Sequence, residues 1–506
     1  MIENVISTKD ESASNAVEHS ASISTGILRL FSDSFIYAIG LAVNMGLRFL
    51  VLPLILRNLD PAQLGSFDAA RSFLVVAAPL VALGMESAVA ILYNQSPKDT
   101  RRQRVLMSAG LAIVVIAASV LLIVGWWGRE TLYQWVMGGN GDPRVLLLTL
   151  GLTAFSAITE YARNLLKWQM RRFVFVGLLI GEAFLSLAIG VGLVVFAELG
   201  VVGWVLALWI ANLLTLFVAV AFNYHVWCLP QLRKFARRLI ILGIPFALVS
   251  AAALLMPTIT RQVLVHTTGL ASVGIYGVGE RVAYLIAIVL SGFSIAWGPF
   301  FLSRQHDADA PRLFGRATLA YLTLATWWGL GVVLAAPWLV SFLSGPAYQG
   351  AVQIVLPLAL LNILAGLDFV AMGGIYIRQK SYLLIPIYLF SSVVALGLAL
   401  LLVPELQEVG AAWAALGGKV AGLGIALGIS QRLFPIQWAV SKLVRLTLVF
   451  FVVLLLAGVV ASTPTVWTIP ALLTLTLGYP IMLHVLGIVD PAPILRQINQ
   501  LRARKV

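Results

Sequence analysis

Apolar residues fill this chain in blocks of about twenty, and its polar residues gather in short stretches between the blocks. A helix needs about 20 apolar residues to cross a bilayer. The pattern predicts about fourteen such helices, over 35–56, 71–93, 105–127, 145–166, 174–197, 201–224, 239–265, 275–301, 318–341, 351–376, 383–402, 409–430, 444–461 and 467–488. The expected fold class is an all-α polytopic membrane protein. A polar tail (1–32) precedes a six-helix bundle (33–238), a second six-helix bundle (239–432), two extra spans (433–488) and a basic tail (489–506).

Charge placement adds an orientation. Only 11% of residues are charged, against roughly 25% in soluble domains, and mean hydropathy is +0.96. The net charge of +13 would suggest nucleic acid in a soluble protein. Here the cations flank apolar spans, so the positive-inside rule accounts for them and no nucleic-acid partner is expected. One set of loops is basic: Lys98, Arg101, Arg102 and Arg104; Arg163, Lys167, Arg171 and Arg172; Arg233, Lys234, Arg237 and Arg238; and so on to the tail. The opposite set carries only Arg57, Arg129 and Arg144. Both termini are therefore expected in the cytoplasm. The Ser-rich start lacks the basic and apolar regions of a signal peptide. Cys228 is the single cysteine, so no intrachain disulfide forms. No Cys/His cluster has metal-ligand spacing, and no cofactor is expected.

An internal repeat is visible. Leu64-Gly65-Ser66-Phe67 aligns with Val273-Gly274-Ile275-Tyr276, and Val202-Gly203-Trp204 with Val409-Gly410-Ala411. The offset covers six spans, an even number, so the two bundles should have the same orientation, as in transporters with a site between parallel repeats.

Four stretches carry a family resemblance. They are Leu56-Arg57-Asn58-Leu59-Asp60-Pro61-Ala62-Gln63-Leu64-Gly65-Ser66-Phe67 with Leu83-Gly84-Met85-Glu86-Ser87-Ala88; Val273–Tyr276 with Ala296-Trp297-Gly298-Pro299-Phe300; Gly345–Ala351 with Leu356-Pro357; and Gly410–Gly417. In order and spacing they resemble the multidrug/oligosaccharidyl-lipid/polysaccharide transporter superfamily, closest to bacterial Wzx-type polysaccharide flippases. The resemblance implies two bundles around a central cavity in the bacterial inner membrane. It also implies alternating access and a polyprenyl-diphosphate-linked oligosaccharide as cargo. Glycosyltransferases and a polysaccharide polymerase acting on the same lipid carrier would be its partners.

Charges inside the spans mark the candidate site. A charge at the bilayer centre costs about 3 kcal/mol on insertion scales, so it usually faces a wet cavity or a partner. The cations are Arg48, Arg71, Arg261, Arg281 and Lys419; the anions are Glu86, Glu160, Glu182, Glu280 and Asp368. Arg48 lies mid-span, one turn after Asn44. Tyr276, Glu280 and Tyr284 recur every four residues, which suggests a shared face. The resemblance places cations of the first, second, seventh and eighth spans around the cavity, and Arg48, Arg71, Arg261 and Arg281 match by location. Arginine's planar fork of donors suits a diphosphate. Asn44, Tyr276, Tyr284 and Trp297 are candidates for sugar contacts. Other readings stay open: Arg71 paired with Asp68, Arg261 as an interfacial anchor, Arg281 neutralised from another helix. Glu160, Asp368, Lys419 and Glu280 are candidates for ion coupling or gating, with Asp368 and Lys419 as a pair. Pro53 and Pro257 are hinge candidates.

The expected function is a flippase, not an enzyme. No G-x-x-x-x-G-K-[ST] loop is present. The short loops opposite the basic set leave no room for a catalytic domain. The rivals are a multidrug exporter, which needs a cavity dominated by acids, and a lipid II flippase, which differs only in cargo.

Overall fold

The structure is a computed structural model. It describes Gly40 and residues 43–488, apart from 96–98, 229–230, 288–292, 294–296, 299, 302, 306, 379 and 463–467. Both tails and the start of the first expected span lie outside the described residues.

Among the described residues all regular structure is helical. Ten helices are long and apolar enough to cross a membrane, and two shorter apolar helices accompany them. The elements run α1 (Val43–Leu56), α2 (Pro61–Ala82), α3 (Met85–Asn94), α4 (Thr100–Trp127), α5 (Arg129–Met137), α6 (Pro143–Trp168), α7 (Arg172–Val191), α8 (Gly200–Phe222), α9 (Leu232–Thr268) and α10 (Leu270–Ala283). Then follow α11 (Ala310–Ser344), α12 (Ala351–Gly366), α13 (Asp368–Ala371), α14 (Gly373–Ile377), α15 (Leu384–Leu433), α16 (Val440–Ser462) and α17 (Thr468–Val485).

Helix faces sort as a membrane interior requires. Along α4, Leu106, Ala109, Ile113 and Val114 are buried, whereas Ile116, Val120, Ile123 and Val124 are exposed. Both sets recur at helical spacing, so one stripe packs inward and the other meets lipid. The interior holds several apolar clusters, among them Val89, Leu106, Val114 and Leu239; Ile55, Phe67, Val145 and Leu187; and Val278, Val282, Val332 and Val355.

Local sequence explains the interruptions. Asp60 caps α2 by accepting from the Gln63 backbone N–H at 2.7 Å, and Pro61 takes the first turn, where its missing N–H costs nothing. The helix therefore begins ten residues before the expected second span. Leu83 and Gly84 take left-handed φ values of 48° and 60° and break the rod between α2 and α3. A Cβ on Gly84 would overlap the Gly243 carbonyl on α9. The 50-residue α15 folds back at Gln407 (φ 49°), and its two legs are joined by the Ser391 hydroxyl donating to the Gly418 carbonyl at 2.7 Å.

The end opposite the basic loops is tightly closed. Gly65 (α2) and Gly274 (α10), aligned by the expected repeat, meet there. A Cβ on Gly65 would overlap the Leu270 carbonyl, and one on Gly274 the Pro61 carbonyl. The Tyr348 hydroxyl donates to the Leu59 carbonyl at 2.9 Å, and Arg57 to that of Phe342 at 2.9 Å.

Candidate functional site

A cavity of about 1030 Å³ lies among α1, α2, α3, α6, α7, α8, α9 and α10. Its charged lining consists of Arg48, Asp68, Arg71, Glu86, Glu160, Glu182, Arg261, Glu280 and Arg281. One face of α6 adds Thr149, Thr153 and Ser156.

The four arginines converge. The charges bearing most on Arg71 are, in order, Asp68, Arg281, Arg48 and Arg261. Asp68 holds Arg281 in a two-pronged pair, with both N–O distances 2.8 Å. This bond joins α2 to α10, and Gly277 makes room for it: a Cβ there would overlap both Asp68 and Arg281. Arg261 is paired with Glu280 and lies over the Tyr276 ring, 5.5 Å from its centroid. Arg48 donates to the Asn44 side chain at 3.2 Å, and Asn44 donates to the Leu179 carbonyl at 2.8 Å. Arg71 is exposed to the cavity and lies 5.9 Å from the Phe67 centroid. Among the described residues, neither Arg48 nor Arg71 has a carboxylate within ion-pair distance. Two of the four guanidiniums are thus ion-paired and two are not; over the whole lining the four arginines stand with five carboxylates, and Glu182 is the acid whose charge bears most on Arg48.

The other acids sit toward the basic end. Glu86 and Glu160 are exposed to the cavity, and Glu86 lies within the influence of Lys167, Glu160 and Arg163. Glu182 is held by Arg163 at 2.6 Å and by the Asn212 amide at 3.3 Å.

The structure separates other candidates from this cavity. Asp368 opens the short α13 at a break in its span and pairs with Lys419 on the second leg of α15. Neither lines the cavity. Asn44 supports Arg48 from behind. Tyr276 is buried beneath Arg261, while Glu280 and Tyr284 do line the cavity. Trp297 is no sugar contact on this lining. It stacks on Phe293 and Phe301, and its indole N–H donates to the Phe369 carbonyl at 3.1 Å. The alternative Asp68–Arg71 pairing is displaced by Arg281, which takes both Asp68 oxygens.

Residues 30–305 match the family described as "Polysaccharide biosynthesis protein". The chain belongs to this family. No curated protein matches it in sequence. In fold, this member of the polysaccharide biosynthesis family is similar to the structure titled "Lipid II flippase MurJ, inward closed conformation". The TM-score is 0.72 at 12% identity, over 90% of this chain and 98% of that one. It is also similar to an inward-facing multidrug resistance MATE family transporter of the MOP superfamily, with TM-score 0.63 at 13% identity over 78% and 97%. A MOP superfamily transporter from Pyrococcus furiosus gives 0.55 at 14% identity, over 80% and 94%. At these identities the likeness establishes the fold. The polysaccharide biosynthesis protein is thus a multi-pass membrane protein with the fold of MOP superfamily transporters.

Proposed function

We propose that the chain is a flippase that moves a polyprenyl-diphosphate-linked oligosaccharide across the bacterial inner membrane, from the cytoplasmic to the periplasmic leaflet. The observation that carries this reading is that two guanidiniums, Arg48 and Arg71, line a cavity of about 1030 Å³ without an ion-pair partner among the described residues. A diphosphate diester carries two negative charges at neutral pH. Two arginines outside any ion pair match it in charge, and the planar guanidinium suits its geometry. Arg261 and Arg281, each shared with an acid, extend the cationic wall. Thr153, Ser156 and Tyr284 offer hydroxyls to sugars, and the polyprenyl tail stays in lipid.

Translocation follows by alternating access of the bundles 33–238 and 239–432, with both termini cytoplasmic. The Gly65–Gly274 crossing closes the periplasmic end in this state. Opening requires α2 and α10 to part there, and the Asp68–Arg281 pair lies on that seam. Glu160, exposed and outside any ion pair among the described residues, is the acid we assign to ion coupling. Asp368–Lys419 and Glu280 act as gates or staples. No bond is made or broken in the cargo.

The test is leaflet assignment. In cells lacking the gene and any redundant flippase, lipid-linked oligosaccharide should accumulate on the cytoplasmic side. Wild type should relieve this, and Arg48→Ala/Arg71→Ala should not. Absence of accumulation contradicts the proposal.

One observation favours a second reading. Glu86 and Glu160 are exposed in the cavity, as a multidrug exporter of cationic compounds would need. Efflux of a cationic dye that is lost in Glu86→Gln/Glu160→Gln, while polysaccharide output is normal, would select it.

A further inference from the structure

A second pocket, of about 440 Å³, lies at the basic end where α3 finishes beside the start of α9. Lys234, Arg237 and Arg238 line it together with Ile91, Leu92 and Ile241. Positions 234, 237/238 and 241 fall on one helical face, so the cations stand one turn beyond an apolar wall. All three are exposed, and among the described residues none has a carboxylate within ion-pair distance. The apolar span of α9 begins at Lys234, which puts the trio at headgroup depth. Below it Ile241 is 61% exposed, facing lipid.

The positive-inside rule explains cations in this loop, but it requires neither a pocket nor an apolar wall beneath them. We propose that this pocket binds the headgroup of an anionic phospholipid. The forks of Arg237 and Arg238 and the Lys234 ammonium hold the phosphate, and an acyl chain runs along Ile241 and Ile91. A basic pocket between membrane helices has the chemistry for such a headgroup. Because the pocket is shared by α3 and α9, a bound lipid ties the second span to the seventh at their basic ends. This proposal does not rest on the cargo assigned to the cavity.

The test uses the full-length protein purified in detergent. Phosphatidylglycerol should raise its melting temperature by about 2 °C or more, whereas phosphatidylcholine and inorganic phosphate should leave it within about 1 °C. Lys234→Gln/Arg237→Gln/Arg238→Gln should abolish the rise. Arg237→Lys/Arg238→Lys keeps the charge that sets topology and should lose at least half of it. Arg48→Ala should keep it whole. A photoreactive anionic lipid, which needs no variant, should label wild-type peptides containing Ile91 and Ile241, in competition with phosphatidylglycerol. Equal shifts with phosphatidylcholine, an equal shift with phosphate alone, or labelling spread evenly over the surface would each overturn the proposal.

Discussion

Two regions of this protein hold charge inside the membrane and treat it differently. In one, Lys419 meets Asp368 at the break between α12 and α13, outside the cavity, one cation against one acid, with side chains 13% and 22% exposed. In the other, four arginines converge on Asp68 and Glu280 within the cavity. In the first region both charges are paired; in the second, among the described residues, Arg48 and Arg71 are not. A balanced, enclosed pair needs no visitor, because each partner is the other's solvent. An unpaired guanidinium open to a cavity is left free to meet a ligand. The presence of an intramembrane charge therefore says less about cargo than whether that charge is paired.

That contrast can be broken from either side. The largest effect belongs to orphaned partners. Lys419→Met should cost about 3 kcal/mol of stability by leaving Asp368 buried and alone, and Asp368→Asn in the same chain should recover most of it. Asp68→Asn, which leaves Arg281 unpaired, should cost a comparable amount. Thermal unfolding in detergent measures both.

Next comes Gly277→Ala. Its methyl group would overlap Asp68 and Arg281, and wedging that pair apart should cost about 1–3 kcal/mol. Arg48→Ala and Arg71→Ala should behave in the opposite sense, with unfolding within about 0.5 kcal/mol of wild type. Each lost charge-assisted contact, about 1.5–3 kcal/mol, should weaken binding of a polyprenyl diphosphate roughly 10- to 150-fold in a direct binding assay. The smallest effect is expected for Glu86→Gln. The residue is exposed to the cavity and not part of an ion pair among the described residues, so stability should change by less than about 0.5 kcal/mol.

Much of the fold is legible in the sequence. Apolar block length places the spans, and loop charge separates the two ends. The α2 start was missed by ten residues, although Asp60-Pro61, a cap followed by a first-turn proline, is a readable signal. The short α5 (Arg129–Met137) was not expected, since it is too short and too polar to read as a span. The site is partly legible. The arginines stand out by charge alone, but pairing across 213 residues, as between Asp68 and Arg281, depends on helix register that local pattern does not encode.

The expected Tyr276–Glu280–Tyr284 face failed for a simpler reason. Four residues overshoot a 3.6-residue turn by about 40°, so eight residues rotate the face by about 80°. Tyr276 is buried while Glu280 and Tyr284 reach the cavity. The hydroxyl stripe Thr149, Thr153 and Ser156 was missed, although its spacing of four and three, leading to the expected Glu160 four residues on, is a readable signal.

The central claim is that Arg48 and Arg71 are unpaired charge, kept for an anionic cargo. Its most direct test is one preparation measured twice, wild type against Arg48→Ala/Arg71→Ala. Binding of a polyprenyl diphosphate sugar is read beside binding of the uncharged polyprenol, and thermal unfolding is read on the same samples. The account predicts unchanged unfolding, loss of diphosphate binding and no change for the polyprenol. A variant that unfolds early yet binds the diphosphate as wild type does would contradict it, and would place these arginines with Lys419 as part of the scaffold.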